Sequence, residues 1–212
     1  MNRIIQTNKN KLEIFQDDSQ IWKYFRSEDE FLRELQIYRQ NPCFAPKLIG
    51  FNKNDLILKL QFLEAKTILQ IKPEFDKIAQ LFSKLHSFKK RTICLCDVNP
   101  KNILFDLSEH KYYLIDFSDW QYQPKEYDLV RFLLFWASIY SSDIFQKNAE
   151  IFLNSYNIFL PIDYFLMQKF LQPAILEFDE RRKKFNRKKA IVTAEPDKNR
   201  LWILEKINKQ IR

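Results

Sequence analysis

Three polar side chains that suit a metal–phosphate site lie close together in the sequence. Asp97 precedes a short apolar run, Asn102 begins that run, and Asp116 ends the next one. The intervening segment, Asp106–His110, has the composition of a turn, so the two runs predict a β-hairpin. A hairpin would bring Asn102 near Asp116. Carboxylate and amide oxygens grouped in this way suit Mg²⁺, which binds one or two carboxylates together with phosphate oxygens.

The same stretch resembles the catalytic and metal-binding segments of the protein-kinase-like superfamily, and most of all its aminoglycoside phosphotransferase/choline kinase-like branch. In that branch a loop reads H-G-D-x-x-P-x-N, and a later strand ends in I-D-F or I-D-W. The matching residues here are Asp97, Pro100, Asn102, Ile103, Ile115, Asp116 and Phe117. The alternative is a polar hairpin with turn-forming Asp and Asn, but turn chemistry alone does not require this combination.

The resemblance implies an α+β, protein-kinase-like bilobal fold. Its N-lobe would be a small antiparallel sheet with one helix over residues 1–64. Its C-lobe would be mainly helical over residues 65–212 and would contain the catalytic hairpin at 95–117. The implied activity is phosphoryl transfer from ATP to a hydroxyl group of a small molecule or glycan. Asp97 would accept the hydroxyl proton, while Asn102 and Asp116 would bind Mg²⁺ and the nucleotide phosphates.

The N-terminal part predicts a meander of short strands over Arg3–Thr7, Leu12–Gln16 and Gln20–Phe25. The third strand places Lys23 in a mostly apolar alternation, where the family has a lysine that binds the α- and β-phosphates. A buried ammonium needs a carboxylate partner. Alternation alone does not fix the buried face, so an outward-facing Lys23 stays open.

The next segment predicts a helix that supplies this partner. Ser27 and Glu30 form an S-x-x-E capping box, and an apolar stripe follows at Phe31, Leu35 and Tyr38. Glu34 lies beside the stripe and is the expected partner of Lys23, with Glu30 as the second choice. The alternative is that both glutamates form ordinary surface pairs with nearby arginines.

Further along the chain, three other features bear on the site. The resemblance places the hinge after the strand Asp55–Phe62, with backbone groups near Gln61 and Leu63 against the adenine. His86, at the end of an apolar-striped helix, is expected to be a packed histidine, because no Ser or Cys nucleophile stands at a recognisable spacing from it. Asp128 opens an apolar helix; the resemblance implies that it caps or braces the catalytic loop through backbone amides, and its expected role is structural.

Composition and charge limit the partners and the cellular location that we expect for the protein. The chain has 212 residues and a net charge of +8, which suits nucleic acid, an anionic membrane surface or a phosphorylated substrate equally well. The basic run Arg181–Lys189 leaves an anionic or membrane-linked acceptor open, whereas nucleic acid is suggested by charge alone and is not expected. The segment Met1–Asn10 lacks the apolar region of a signal peptide, no apolar run is long enough to span a bilayer, and three cysteines argue against a disulfide framework. We therefore expect a cytoplasmic protein.

Two departures from the family keep other functions open. The first turn, Asn8–Lys11, contains no Gly where the family often has a Gly-rich phosphate loop, and Leu95 replaces the family's His. Both favour a pseudokinase or nucleotide-binding module without turnover. A lipopolysaccharide, glycan or protein kinase on the same fold is the other alternative, although the short interval after Asp116 argues against a protein acceptor.

Overall fold

The computed structural model describes residues 2–6, 10–15, 19–184 and 195–212. The chain forms two compact units, one from residues 1–72 with 101–120 and the other from 73–100 with 121–212. Strands dominate the N-terminal part and helices the C-terminal part, which confirms the predicted α+β class. The division into lobes at residue 64 stays a prediction.

The first unit contains a five-stranded antiparallel sheet in the order β1-β2-β3-β5-β4. A second sheet of three antiparallel strands has the order β6-β8-β9. Helix α1, Glu28–Tyr38, lies between β3 and β4 in the chain. The strands are β1 Asn2–Gln6, β2 Asn10–Phe15, β3 Gln20–Phe25, β4 Leu48–Asn52, β5 Ile57–Gln61, β6 Ala65–Thr67, β8 Ile103–Asp106 and β9 Lys111–Leu114.

Helix α1 begins as the sequence predicts. Ser27 is its N-cap, and its side chain accepts a hydrogen bond from the Glu30 amide at 3.4 Å. This bond satisfies one of the amides that a helix start leaves unpaired. The predicted stripe is buried, and Glu34 is buried with it.

The second unit is mainly helical, and its core is aromatic. Phe132 lies with ring centroids 5.0 Å from Phe82 and 4.5 Å from Phe152, so helices α2, α3 and α4 share one apolar cluster. A short antiparallel pair, β7 with β10, completes this unit. The elements are α2 Phe75–His86, β7 Ile93–Cys94, β10 Gln121–Tyr122, α3 Glu126–Ala137, α4 Ser142–Phe159, α5 Tyr164–Lys184 and α6 Pro196–Ile211.

The secondary structure around the predicted site is close to that predicted from the sequence. The hairpin is present, with Ile103 opposite Leu114. Helix α3 begins at Glu126, so Asp128 lies inside its first turn and does not open the helix as predicted. The basic run Arg181–Lys189 starts within α5, but residues 185–189 lie outside the described residues, as do Asn8 and Lys9 of the first predicted turn.

Within the ranges given above, the structure has no helix of the length and apolar character that crossing a membrane requires.

Candidate active site

Three of the predicted site residues form one cluster in the first unit. The Lys23 ammonium on β3 forms ion pairs with Glu34 on α1 and with Asp116, the latter at 2.8 Å between Nζ and Oδ1. The predicted pair with Glu34 is therefore present, and the outward-facing alternative for Lys23 is wrong. The contact between Lys23 and Asp116 was not predicted. It joins the strand, the helix and the end of the hairpin.

Burial and charge shift the pKa values of this cluster in different directions. Burial raises the pKa of Glu34 to about 8, because desolvation of the carboxylate outweighs the attraction of Lys23 and because Asp116 adds repulsion. Burial acts on Lys23 in the opposite sense, but the two carboxylates outweigh it and raise the pKa of the ammonium. Burial also opposes ionisation of Asp116, yet the Lys23 charge outweighs it and lowers the pKa of that carboxyl. Lys23 and Asp116 are thus charged near neutral pH.

Packing of Phe117 anchors the backbone next to Asp116. Phe117 is fully buried, with its ring centroid 5.4 Å from that of Tyr38 and 6.1 Å from that of Phe44. Asp116 itself has a φ of 64°, which is uncommon for a residue other than glycine. The indole of Trp120 donates to the Arg33 carbonyl at 3.0 Å and ties the following segment to α1. The backbone around Asp116 is therefore held by packing on both sides.

The backbone of Asn102 is bonded to Ile115, the residue before Asp116, in agreement with the predicted hairpin. Asn102 precedes β8, and its carbonyl oxygen accepts a hydrogen bond from the Ile115 amide at 3.0 Å. A carboxylate and a side-chain amide at neighbouring positions supply the hard oxygen ligands that Mg²⁺ prefers. The donor set of Asn102 and Asp116 therefore fits the metal that the resemblance implies.

The predicted hinge lies at the end of β5. The Gln61 amide donates to the Lys47 carbonyl at 2.9 Å, and the Phe62 amide donates to the Ser19 carbonyl at 2.9 Å. Both amides are thus used within the first unit. The assignment of nucleotide contacts to Gln61 and Leu63 stays a prediction.

Asp97 belongs to the second unit, in the loop that follows β7. The carboxylate of Asp128 holds this loop, because Oδ2 accepts from the Leu95 amide at 2.6 Å and Oδ1 from the Cys96 amide at 3.0 Å. Asp128 thus braces the loop, as the sequence predicts. Cys96 has a φ of 65°, at the position where the family motif has Gly. The backbone next to Asp97 is therefore held in a conformation that costs energy for a side chain.

His86 extends the brace behind this loop. Its Nε2 lies 3.3 Å from Asp128 Oδ2, and its Nδ1 lies 2.7 Å from the Tyr156 hydroxyl. The side chains of His86 and Asp128 are fully buried, so the expectation of a packed histidine is confirmed. Tyr156 was missed by sequence analysis, because nothing in the pattern of α4 marks it apart from other core residues.

One group of potential metal ligands lies in the same place. His86, Cys94 and Asp128 have ligand atoms within 4.8 Å of one another, and all three residues are buried. Each already has a protein partner: the Cys94 thiol, for example, donates to the carbonyls of Gln123 and Pro124 at 3.4 and 3.3 Å. Burial also raises the pKa of the thiol, which disfavours the thiolate that a metal would need. The group is a hydrogen-bonded support for the loop.

Solved structures share this fold. Choline kinase LicA from Streptococcus pneumoniae is 17% identical, with a TM-score of 0.63 over 99% of this chain and 94% of that one. Aminoglycoside phosphotransferase APH(3'')-Id from Streptomyces rimosus is 12% identical, with a TM-score of 0.61 over 80% of this chain and 90% of that one. An ethanolamine kinase from Plasmodium vivax is 14% identical, with a TM-score of 0.59 over 82% of this chain and 71% of that one. At these identities the likeness shows the fold alone, and it confirms the predicted protein-kinase-like fold.

Sequence comparison gives the family. No protein of the curated collection matches the chain significantly. The model of the phosphotransferase enzyme family matches residues 23–156, which is more than half of the chain and runs from Lys23 to Tyr156. The predicted relationship to the aminoglycoside phosphotransferase/choline kinase branch is confirmed. The chain therefore belongs to the phosphotransferase enzyme family and is a kinase-type phosphotransferase with an alcohol group as acceptor.

Proposed function

We propose that this enzyme transfers the γ-phosphoryl group of ATP, bound with Mg²⁺, to a hydroxyl group of a small molecule or glycan. The observation that carries the proposal is the cluster of Lys23, Glu34 and Asp116. A buried lysine held by one carboxylate and facing a second, partly exposed one has no evident use in a purely structural core. It suits a site where phosphate charge must be matched by a fixed cation.

Each proposed site residue of the first unit has a role in binding the nucleotide or the metal. Lys23, oriented by Glu34, binds the α- and β-phosphates. Asp116 and Asn102 would hold Mg²⁺, which neutralises charge on the phosphate oxygens when it is bound. Backbone groups near Gln61 and Leu63 bind the adenine.

Asp97 acts on the acceptor. Its carboxylate accepts the proton of the attacking hydroxyl, which is the role of the aspartate in the matching family motif. Asp128 keeps the backbone of the loop in place, so that Asp97 needs no rearrangement when substrates bind. A base held in this way contributes to the rate through orientation as well as through basicity.

The acceptor belongs to the class of hydroxyl-bearing small molecules. The structures of similar fold are named for choline, ethanolamine and aminoglycosides, and each of these offers a hydroxyl. One of them was solved with AMP, which supports use of an adenine nucleotide. The basic run from Arg181 supports an anionic or lipid-linked glycan as a second acceptor class. The cytoplasm, where ATP is abundant, is the proposed location.

A nucleotide-binding module without turnover is the second candidate, favoured by Leu95 and by the Gly-free turn at Asn8–Lys11. The two candidates differ in the consequence of nucleotide binding. Both predict a Mg²⁺-dependent rise of the melting temperature with ATP, but the kinase alone also forms ADP when a hydroxyl acceptor is present.

Thermal unfolding with Mg²⁺-ATP tests the proposal. Wild type should be stabilised by about 2.7 kcal/mol at an ATP concentration 100 times the dissociation constant. Asp116→Asn should lose the Mg²⁺-dependent part of this shift. Absence of any such shift in wild type would overturn the proposal. ADP formation should then be screened with choline, ethanolamine, aminoglycosides, sugars and glycans, and a shift without turnover on any of them would favour the binding module.

A further inference from the structure

We infer that the second unit has a docking surface for an anionic lipid membrane, at the end where α4 connects to α5. This surface has two parts. The apolar tip consists of residues 158–162 together with Phe165, and the basic loop consists of residues 89–91, which follow α2. Docking of this kind does not require phosphoryl transfer, so it goes beyond the proposed function.

The apolar tip places consecutive hydrophobic residues in contact with solvent. Its sequence, Ile-Phe-Leu-Pro-Ile, spans the end of α4 and the connection to α5. Ile158, Phe159 and Phe165 are 81%, 47% and 66% exposed. Single apolar side chains on a surface need no explanation, but a contiguous group of them indicates a surface that binds a partner or a membrane.

Hydrogen bonds give the apolar tip a defined conformation. Asn157 Oδ1 accepts from the Ile162 amide at 2.8 Å. The Asp163 amide donates to Glu126 Oε1 at 2.9 Å, which ties the connection to the start of α3. Asp163 Oδ1 in turn accepts from the Leu166 amide at 3.1 Å, as an N-cap of α5 does. The tip is therefore preorganised, and docking does not have to order the chain first.

The basic loop leaves the second unit at the same end as the apolar tip. The rings of Phe82 on α2 and Phe152 on α4 have centroids 5.9 Å apart. One turn later on both helices, His86 Nδ1 lies 2.7 Å from the Tyr156 hydroxyl. Since both pairs run in the same direction, α2 and α4 are parallel. The segments that follow them, residues 89–91 among them, therefore start at the same end of the unit.

Positive charge predominates next to the apolar tip. The two segments that meet there, residues 84–91 and 154–170, contain five Lys or Arg residues and one acid, Asp163. Lys90 and Arg91 are exposed, and the Arg91 guanidinium lies over the Tyr122 ring, 4.3 Å from its centroid. Each Lys or Arg near an anionic lipid surface strengthens binding to it. The five cations are Lys84, Lys89, Lys90, Arg91 and Lys169.

This combination suits a lipid surface. Apolar side chains of an interfacial protein enter the boundary between headgroups and acyl chains, while Lys and Arg beside them meet the anionic headgroups. A symmetric contact between two copies would bring the two basic loops close together, and like charges across an interface are unfavourable. The charge therefore favours a membrane over a second copy of the chain.

The chain between Lys184 and Glu195 attaches far from the apolar tip. Lys184 ends α5, about 30 Å along the helix from Phe165. Glu195 Oε2 accepts from the Ser142 amide at 3.0 Å, at the start of α4. Both attachment points are thus at the ends of α4 and α5 opposite to the tip, which argues against this segment as its cover.

Sedimentation with lipid vesicles tests the inference. Wild type should bind vesicles of phosphatidylcholine mixed with phosphatidylserine roughly 10-fold more tightly than vesicles of phosphatidylcholine alone, and salt should weaken this preference. Ile158→Ser/Phe165→Ser should bind the mixed vesicles roughly 10-fold less tightly than wild type, because two apolar side chains no longer enter the lipid. Lys90→Gln/Arg91→Gln should lose a similar factor on mixed vesicles and none on phosphatidylcholine alone.

Matched controls lie on the same helices away from this surface. Ile144 is 51% exposed at the start of α4, and Lys147 and Lys209 are exposed on α4 and α6. Ile144→Ser and Lys147→Gln/Lys209→Gln should bind the mixed vesicles as wild type does. All replaced side chains reach solvent, so the melting temperature of each variant should stay near that of wild type.

Tryptophan quenching by brominated lipid locates the contact on the protein. Phe165→Trp on mixed vesicles should be quenched more strongly than wild type, whose four tryptophans lie outside the apolar tip. Ile144→Trp should show no such increase. Equal quenching of the two variants would place the membrane contact elsewhere and overturn the inference.

Two binding results would also contradict the docking surface. Failure of wild type to bind the mixed vesicles would overturn it. Wild-type binding by Ile158→Ser/Phe165→Ser would do the same, because it would show attraction by charge alone, for example through the basic run from Arg181.

A dimer would point to a different occupant. If wild type formed a dimer without binding vesicles, and Ile158→Ser/Phe165→Ser abolished that dimer, the apolar tip would bind a second copy and the inference would be wrong. The stabilisation by Mg²⁺-ATP tests the proposed function separately, because none of these variants replaces a residue of the candidate active site.

Discussion

Two clusters of charged and polar side chains, one in each unit, are built differently. The cluster of Lys23, Glu34 and Asp116 in the first unit joins side chains to side chains, and Asp116 is partly exposed. The brace of Asp128, His86 and Tyr156 in the second unit is buried, and its carboxylate binds backbone amides. The carboxylate of Asp116 can therefore be reached from solvent, whereas that of Asp128 cannot.

Under the proposed function, this difference matches two separate requirements of phosphoryl transfer. In that proposal, phosphate and metal bring charge to the first cluster, so Asp116 must be open to them. The base must stay in place throughout, and backbone amides bound by a buried carboxylate are well suited to this because no ligand reaches them. Charged side chains are therefore paired with one another where a charged ligand would bind. A buried carboxylate binds backbone amides where the loop must stay fixed.

The largest effect, on kcat, is expected at Asp97, in the loop that Asp128 holds. Asp97→Asn should lower kcat by about 10²–10⁴-fold, because a general base contributes that much, while nucleotide affinity and stability stay near those of wild type. Steady-state kinetics with the best acceptor and nucleotide titration measure both. Asp76→Asn, an exposed acid in the first turn of α2, should leave kcat unchanged. Full turnover by Asp97→Asn would show that Asp97 is not the general base.

The next largest effect is on stability. Asp128→Ala should lower the free energy of unfolding by about 3–5 kcal/mol, because the buried Leu95 amide, the partly buried Cys96 amide and His86 lose their acceptor. Urea unfolding followed by circular dichroism measures the loss. Asp143→Ala, at an exposed position in the first turn of α4, should cost about 0.5 kcal/mol or less. A loss no greater than that of this control would contradict the fixed character of the brace.

The stability of the protein should depend on pH through Glu34, which belongs to the cluster with Lys23 and Asp116. Burial raises the pKa of Glu34 from its ordinary value of 4.5 to about 8, so the folded state binds a proton there that the unfolded state releases. Stability contributed by this group is present below about pH 4.5 and is lost as pH rises toward about 8. The lowered pKa of Asp116 acts below its ordinary value of 3.8 and lies outside this window.

Glu34→Gln should therefore flatten the dependence of the melting temperature on pH between about 5 and 8. Calorimetry over that range measures it. Glu150→Gln, on α4 of the other unit, should keep the wild-type slope, since its carboxylate only forms a half-exposed pair with Lys206. An unchanged slope in Glu34→Gln would mean that this carboxyl does not titrate in the window.

The smallest effect tests the backbone of the braced loop. Cys96 has a φ of 65°, which favours glycine, so Cys96→Gly should stabilise the protein by about 0.5–1 kcal/mol. Chemical unfolding at fixed pH measures the gain. Cys43→Gly, at an exposed residue outside the set with positive φ, should give no gain. Destabilisation by Cys96→Gly would show that the thiol contributes more than the strained backbone costs.

Much of the fold near the site followed from local patterns. The alternation of β3, the capping box at Ser27 and the stripe of α1 are all short-range signals, and they predicted the pair of Lys23 with Glu34. The hairpin likewise placed Asn102 beside Asp116. The start of α3 was predicted two residues late, because Asp128 has the chemistry of a helix cap while its carboxylate binds another loop.

The sequence by itself determined the candidate residues for chemistry and their order, because Asp97, Asn102 and Asp116 have a spacing set by one loop and one hairpin. Only the tertiary structure decided which partners these residues have: Lys23 contacts Asp116, and Tyr156 contacts His86, over long separations in the chain. It also decided that Cys96 takes a left-handed backbone, since Asp128 holds the amides of Leu95 and of Cys96 itself. Hydrophobic periodicity predicts which face of a single helix or strand is buried. It does not predict contacts between elements that are far apart in the sequence, because those contacts depend on tertiary packing.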